Sequence, residues 1–185
     1  MKTYIALLRG INVGGHKKIL MADLRALLER LNFQNVQTYI QSGNVVFTCA
    51  SAKASGETWV EEKQDFEGVI AKAIETKYGW NVPILIKKAS EMVKIIKKCP
   101  FSDEKMKNSY FTLLQTKPSE MQIKELETYS FPNEEFYVTQ DCVYYFCSTG
   151  YGRTKMNGNL IQKKLQTNIT TRNYRTMMKL IEMAN

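Results

Sequence analysis

Apolar residues recur along the chain with two different periods, and the switches between them divide it into elements. Thr3–Arg9 is a short apolar run that reads as a buried strand, and it leads into the glycine-containing stretch Gly10–Gly15. Met21, Leu24, Leu27, Leu28 and Leu31 then fall at helical spacing with Arg25, Glu29 and Arg30 on the other side, and Asn32 marks an end. Val36–Gln41 and Val45–Thr48 read as two strands around Ser42-Gly43-Asn44, since Gly-Asn is a dipeptide favoured in tight hairpin turns. Ser51–Glu57 is small and polar, as loops are. Phe66, Val69, Ile70, Ala73 and Ile74 form one apolar stripe of a long helix, and Val82–Lys87 supplies a fourth strand.

The order β-α-β-β-α-β is the split ferredoxin-like unit, an antiparallel four-stranded sheet with both helices on one face. The pattern then begins again. Asn108–Gln115 is strand-like, Ser119–Tyr129 is helix-like after Lys117-Pro118, and Glu135–Thr139 with Cys142–Ser148 forms a hairpin around Gln140-Asp141. Helical signals at Leu160–Leu165 and Arg172–Met183 close the chain. Ser90–Lys98 reads as a connecting helix ended by Pro100. The expectation is therefore an α+β protein of two ferredoxin-like halves with antiparallel sheets, the second incomplete and ending in helices. The divisions are 1–88, a connecting helix and linker over 89–107, and 108–185. The repetition lies in the order of elements, with no letter-for-letter internal repeat.

Composition narrows the class. The 185 residues are 44% hydrophobic and 24% charged, the profile of a globular chain, which excludes disorder and fibrous structure. The apolar runs Tyr4–Leu8 and Val82–Ile86 are far shorter than the roughly 18 residues of a membrane span. The N-terminus has neither a long enough apolar stretch nor a small-residue cleavage site for a signal peptide, so a cytoplasmic location is expected, with no membrane partner. Cys49, Cys99, Cys142 and Cys147 are scattered and His16 is the single histidine. No metal site or cofactor is expected from that set, and buried thiols flanking Val143–Phe146 are expected to pack as small hydrophobes.

Charge is uneven. The net charge is +8, with +4 in residues 1–50, −2 in 51–149 and +6 in 150–185. Basic ends folded against each other would form one positive surface able to attract phosphate, nucleic acid or another anion, whereas a solvated basic surface would confer solubility alone.

Gly10-Ile11-Asn12-Val13-Gly14-Gly15-His16-Lys17-Lys18 follows a strand, precedes a helix and mixes glycines with cationic donors, the ingredients of a loop that cradles an anion. It fails the phosphate-loop pattern, because His16 and Lys17 stand where Lys and Ser/Thr are required. Turn geometry accounts for the glycines equally well. His16 allows one imidazole for acid/base work, and no Gly-x-Ser-x-Gly elbow accompanies it. Gln41, Ser42 and Asn44 could hydrogen-bond a ligand or satisfy their own turn. Gly150-Tyr151-Gly152-Arg153-Thr154-Lys155 joins flexible backbone to two cations. Thr170 or Thr171 reads as the N-cap of a final helix carrying Arg172, Arg175 and Lys179 on one face.

Ala6-Leu7-Leu8-Arg9-Gly10-Ile11-Asn12-Val13-Gly14-Gly15, Lys18, Met21-Ala22-Asp23-Leu24-Arg25 and Tyr39-Ile40-Gln41-Ser42-Gly43-Asn44-Val45-Val46-Phe47 together resemble the uncharacterised bacterial family called domain of unknown function 1697. Gly150–Met156 and Thr170–Tyr174 resemble its closing motifs. The family usually carries Trp at the place of Tyr174, and Ser and Leu at those of Thr154 and Met156. The resemblance implies ferredoxin-like halves and brings no established activity. It does concentrate attention on the polar residues within those stretches.

The candidate ligand-binding residues are Arg9, Asn12, Gly14, Gly15, Lys18, Gln41, Ser42, Asn44, Arg153, Lys155, Arg172 and Asn173. Arg9 and Arg172 are the principal anion contacts expected, since Arg offers a bidentate fork. The sharpest expectation is that Arg9–Lys18, Gln41–Asn44 and Arg172 share one basic cleft. Three function classes follow: a binding module for a nucleotide, nucleic-acid phosphate or phosphorylated small molecule; an enzyme acting on a phosphorylated or carboxylated small molecule; and an interaction protein for an acidic partner. The strand aromatics of an RNA-recognition motif are absent, and no nucleophile–base pair assigns catalytic residues. Nothing in the sequence signals an oligomeric state.

Overall fold

A computed structural model of the chain describes residues 1–49, 63–150, 152 and 154–185. The loop expected over Ser51–Glu57 lies outside the described residues. In chain order the elements are β1 (Lys2–Leu8), α1 (Met21–Arg30), β2 (Gln34–Tyr39), β3 (Asn44–Cys49), α2 (Lys63–Tyr78), β4 (Ile84–Lys88), α3 (Ala89–Lys97) and α4 (Asp103–Lys107). They continue with β5 (Tyr110–Leu114), α5 (Glu120–Glu127), β6 (Glu134–Val138), β7 (Cys142–Cys147), α6 (Gly158–Leu165), β8 (Ile169–Asn173) and α7 (Tyr174–Met183). Two four-stranded sheets result, ordered β2-β3-β1-β4 and β6-β7-β5-β8, with every pairing antiparallel. These are the two ferredoxin-like halves read from the periodicity. The chain divides into two compact units, Met1–Met92 with Leu180–Asn185, and Val93–Lys179.

One strand differs from expectation. Ile169–Asn173 is β8, paired with β5, so the second sheet is complete and Arg172 lies in a strand instead of opening the last helix. The β-branched run Ile169-Thr170-Thr171 favours extended backbone and wins over the helix-start reading of the two threonines. The cap is Asn173, whose Oδ1 accepts from the Thr176 N–H at 2.9 Å. Because β8 passes into α7 without a loop, no turn residue marks the junction in the sequence. The short helix α4, capped by Ser102, also lies within the span read as linker.

In the first unit the pleat places Tyr4, Ala6 and Leu8 of β1 with Val45, Phe47, Ile84 and Ile86 on one face, covered by Leu24 and Leu28 of α1 and Ile70 and Ile74 of α2. Tyr4, Phe33, Phe47 and Phe66 pack there with ring centroids 4.5–6.1 Å apart. Ile5, Leu7, Val46 and Leu85 alternate onto the opposite face and are buried too, which is why β1 reads as an unbroken apolar run. Each such side chain contributes roughly 1.5–3 kcal/mol on burial. The second unit repeats the arrangement: Leu114, Val143, Tyr145, Cys147 and Ile169 pack with Leu126 of α5 and Ile161 and Leu165 of α6.

The repeat extends to individual hydrogen bonds. At the end of β1, Leu8 N–H donates to Gly43 O (2.7 Å) and Arg9 N–H to Pro83 O (3.0 Å); at the end of β5, Leu114 N–H donates to Asp141 O (3.1 Å) and Gln115 N–H to Asn168 O (2.9 Å). Registers agree as well, Leu7 facing Asn44 as Leu113 faces Cys142, and Leu8 facing Ile84 as Leu114 faces Ile169.

Candidate functional site

The glycine-containing stretch after β1 is a miniature hairpin. Val13 and His16 form an isolated antiparallel bridge, with His16 N–H donating to Val13 O (3.0 Å) and Asn12 N–H to Lys17 O (3.2 Å). Gly14 (φ 58°) and Gly15 (φ 80°) occupy its two central positions. Positive φ at both is the signature of a type I′ turn, which glycine enters without steric cost. The two glycines therefore answer a turn requirement, and their exposed backbone forms the tip.

Asn12 ties this hairpin to the β2–β3 turn. Its Nδ2 donates to Ile19 O (3.0 Å) and Gln41 O (2.8 Å), and its Oδ1 accepts from Ile19 N–H (2.9 Å). One amide thus satisfies three backbone groups from two loops that lie far apart in sequence. The loop Arg9–Lys18 and the turn Gln41–Asn44 are accordingly brought together. Gly43 closes the contact: at φ 78°, a Cβ there would lie 2.6 Å from Leu8 Cβ and 2.9 Å from Ile11 Cδ1. Asn44 is the first residue of β3 instead of a turn residue, and is fully buried. Its Nδ2 donates to Tyr39 O and Ser42 Oγ, both at 2.9 Å. Asn12, Ser42 and Asn44 thus each have a structural task, while the Gln41 side chain belongs to an exposed residue.

Three cations lie in the Arg9–Lys18 loop: Lys18 is exposed, Arg9 and Lys17 are half-buried, and Lys17 Nζ donates to Asn81 O at 2.6 Å. His16 is exposed. Residues 1–22 contain Lys2, Arg9, Lys17 and Lys18 and no Asp or Glu. The first acid, Asp23, follows in the first turn of α1.

The remaining candidates belong to the second unit. Arg172 is half-buried, and its Nη1 donates to Thr170 Oγ1 (3.0 Å) and Thr171 O (2.9 Å). Burial lowers its pKa to about 10, which leaves it charged at neutral pH. Asn173 caps α7. Glu134 holds the approach to α6, its carboxylate accepting from Lys155 N–H (2.6 Å) and Met156 N–H (2.9 Å), so the Lys155 backbone is anchored and its residue is exposed. Arg153 lies outside the described residues. Residues 142–181 carry seven Lys/Arg and no acid.

Sequence reasoning passed over the Glu134 clasp and three exposed aliphatic residues at the knot, Val13, Leu20 and Ile40. Ile40 could have been found: a β-branched residue inside a four-residue turn, where Gly or Asn is expected, is a local conflict. It adopts φ 46°.

This fold is shared with a solved structure, that of the conserved bacterial protein SP0830 from Streptococcus pneumoniae, at a TM-score of 0.69 and 24% identity, covering 100% of this chain and 99% of that one. At that identity the likeness establishes the fold. The family described as "Protein of unknown function (DUF1697)" matches residues 1–144, and the chain belongs to that family. No curated protein matches it. Among the described residues no helix is long and apolar enough to cross a membrane.

Proposed function

We propose that the protein binds an anionic ligand, a phosphate- or carboxylate-bearing molecule, on the basic knot of its first unit. The observation that carries this reading is the acid-free segment 1–22, whose cations Arg9, Lys17 and Lys18 flank in sequence a hairpin fixed by Asn12. A preorganised cationic frame loses little side-chain and backbone freedom on binding, so more of the electrostatic attraction survives as affinity. The residues that fix the frame, Asn12, Gly43 and Asn44, act through geometry. Arg9 and Lys18 supply charge, with Arg9 presenting a planar fork and Lys18 a point charge.

The test is a thermal-shift screen of pyrophosphate, nucleotides, sugar phosphates and short RNA against the full chain, repeated with Arg9→Ala, Lys18→Ala and Arg172→Ala. Binding that weakens roughly tenfold on loss of a charge-assisted contact, and falls with added salt, is the expected result. Unchanged affinity in both Arg9→Ala and Lys18→Ala would remove the knot from the account. Retention in those two with loss in Arg172→Ala would move the site to the second unit.

A further inference from the structure

The three exposed aliphatic residues of the knot break local rules in ways the fold does not need. Leu20 is the N-cap of α1, where an oxygen-bearing side chain is preferred; it makes no cap hydrogen bond and is 71% exposed. Ile40 is β-branched, sits at φ 46° and is 51% exposed. Val13, at the foot of the Gly14-Gly15 tip, is 63% exposed. Each adjoins a residue joined by the Asn12 side chain: Val13 follows Asn12, Leu20 follows Ile19, and Ile40 precedes Gln41. The half-buried Asn12 side chain therefore brings three aliphatic residues within a residue or two, along the chain, of the groups it bonds, with exposed Lys18 and His16 in the same loop.

The geometry points to a docking surface for an acidic peptide segment of a partner protein, one carrying Asp or Glu interleaved with Leu, Ile or Val. This rests on the anion-binding reading above and names its ligand class. Charge complementarity selects an acidic partner, because Lys17 and the exposed Lys18 lie between Val13 and Leu20 in the same loop. Side-chain type selects a polypeptide. The large hydrophobic side chains most exposed on the knot, Val13, Leu20 and Ile40, are all aliphatic, which favours the aliphatic side chains of a peptide over stacked bases. Aliphatic side chains exposed at a positive-φ position, Ile40, and at an uncapped helix start, Leu20, suit the aliphatic side chains of a peptide.

The experiment is selection of a displayed random 12-residue peptide library on the immobilised full chain, followed by fluorescence anisotropy of the enriched peptide against the parent, Leu20→Ser, Ile40→Asn and Lys18→Ala. Enrichment in acidic and aliphatic residues together is expected, with affinity falling about tenfold in each variant. Leu20→Ser gains a cap and Ile40→Asn gains a residue that tolerates its backbone, so both are expected to melt no lower than the parent while binding worse. That combination separates docking from folding. Parent-like binding by Leu20→Ser and Ile40→Asn, with loss retained in Lys18→Ala, overturns this inference and leaves the anion reading standing. Binding insensitive to salt and to Lys18→Ala overturns both. Tighter binding of a 15-nucleotide oligouridylate or of phosphatidylserine-containing vesicles than of the selected peptide overturns the peptide assignment.

Discussion

The two halves solve the same connection in different ways. Both pass from their first strand to their first helix, and both anchor that exit by equivalent backbone bonds, Leu8 and Arg9 in one, Leu114 and Gln115 in the other. In the second unit the connection is residues 115–119. It is tied by Thr116, whose N–H and Oγ1 both donate to Thr167 Oγ1 at 2.9 and 2.8 Å, and it ends in a capping box between Ser119 and Gln122. Its neighbouring turn is closed by Thr139, which donates to Cys142 O (2.8 Å) and accepts from Cys142 N–H (3.1 Å). In the first unit the connection runs over residues 9–20, adds a hairpin, ends without a side-chain cap and lies against a turn holding isoleucine at positive φ. One topology is thus satisfied by a short, locally consistent loop and also by a longer, locally inconsistent one. The extra length and the broken local rules are the features on which the proposed binding role rests.

The sharpest way to break the comparison is at the paired turn positions. Gly43→Ala must place a Cβ against Leu8 and Ile11 at positive φ, with an expected loss of about 3 kcal/mol in chemical denaturation. Asp141→Ala, at the equivalent place, is expected to cost less than about 0.5 kcal/mol. Equal losses would end the claim that the knot is held by close packing. Next comes Asn12→Ala, which leaves the Ile19 amide and the Ile19 and Gln41 carbonyls without their side-chain partner; about 2 kcal/mol is expected, with faster amide exchange over residues 12–19. The helix caps then give opposite signs. Ser119→Ala is expected to destabilise by about 1 kcal/mol, whereas Leu20→Ser is expected to stabilise by roughly 0.5 kcal/mol.

Legibility follows the same division. Strands buried on one or both faces and helices with a continuous apolar stripe were readable from periodicity, and so were both sheets apart from β8. That strand was missed because Thr170-Thr171 carries signals for a helix cap and for extended backbone alike, and only its pairing with β5 decides between them. At the site, the glycines, Asn12 and Gln41–Asn44 could be singled out as unusual. Their tasks depend on a contact between loops distant in sequence, and the sequence gives no measure of that distance. The exposed aliphatics carried a readable conflict that polar-residue searches ignore.

The smallest expected effect at neutral pH emerges in alkali. Burial raises the pKa of Tyr144, with Cys142, Cys99 and Asp141 nearby acting in the same direction, and burial followed by hydrogen bonding with Cys147 and Glu134 raises that of Tyr145. Their folded values lie above the roughly 10 of an unfolded tyrosine, so the stability they contribute is full below pH 10 and is lost as the pH rises further. Ultraviolet titration should show these two phenolates appearing together with loss of the second unit's fold; their ionisation near pH 10 in the folded chain would contradict the assignment.

The most direct test of the central claim is an amide chemical-shift titration of the isotope-labelled full chain with pyrophosphate and, separately, with a selected acidic peptide. The expected perturbations concentrate on residues 12–20 and 40–43, diminish with added salt, and spare the counterpart segments 115–119 and 139–141. Shifts of equal size at both sets of segments, or none in the first set at saturating ligand, would contradict the claim that the elaborated connection of the first unit is the binding element.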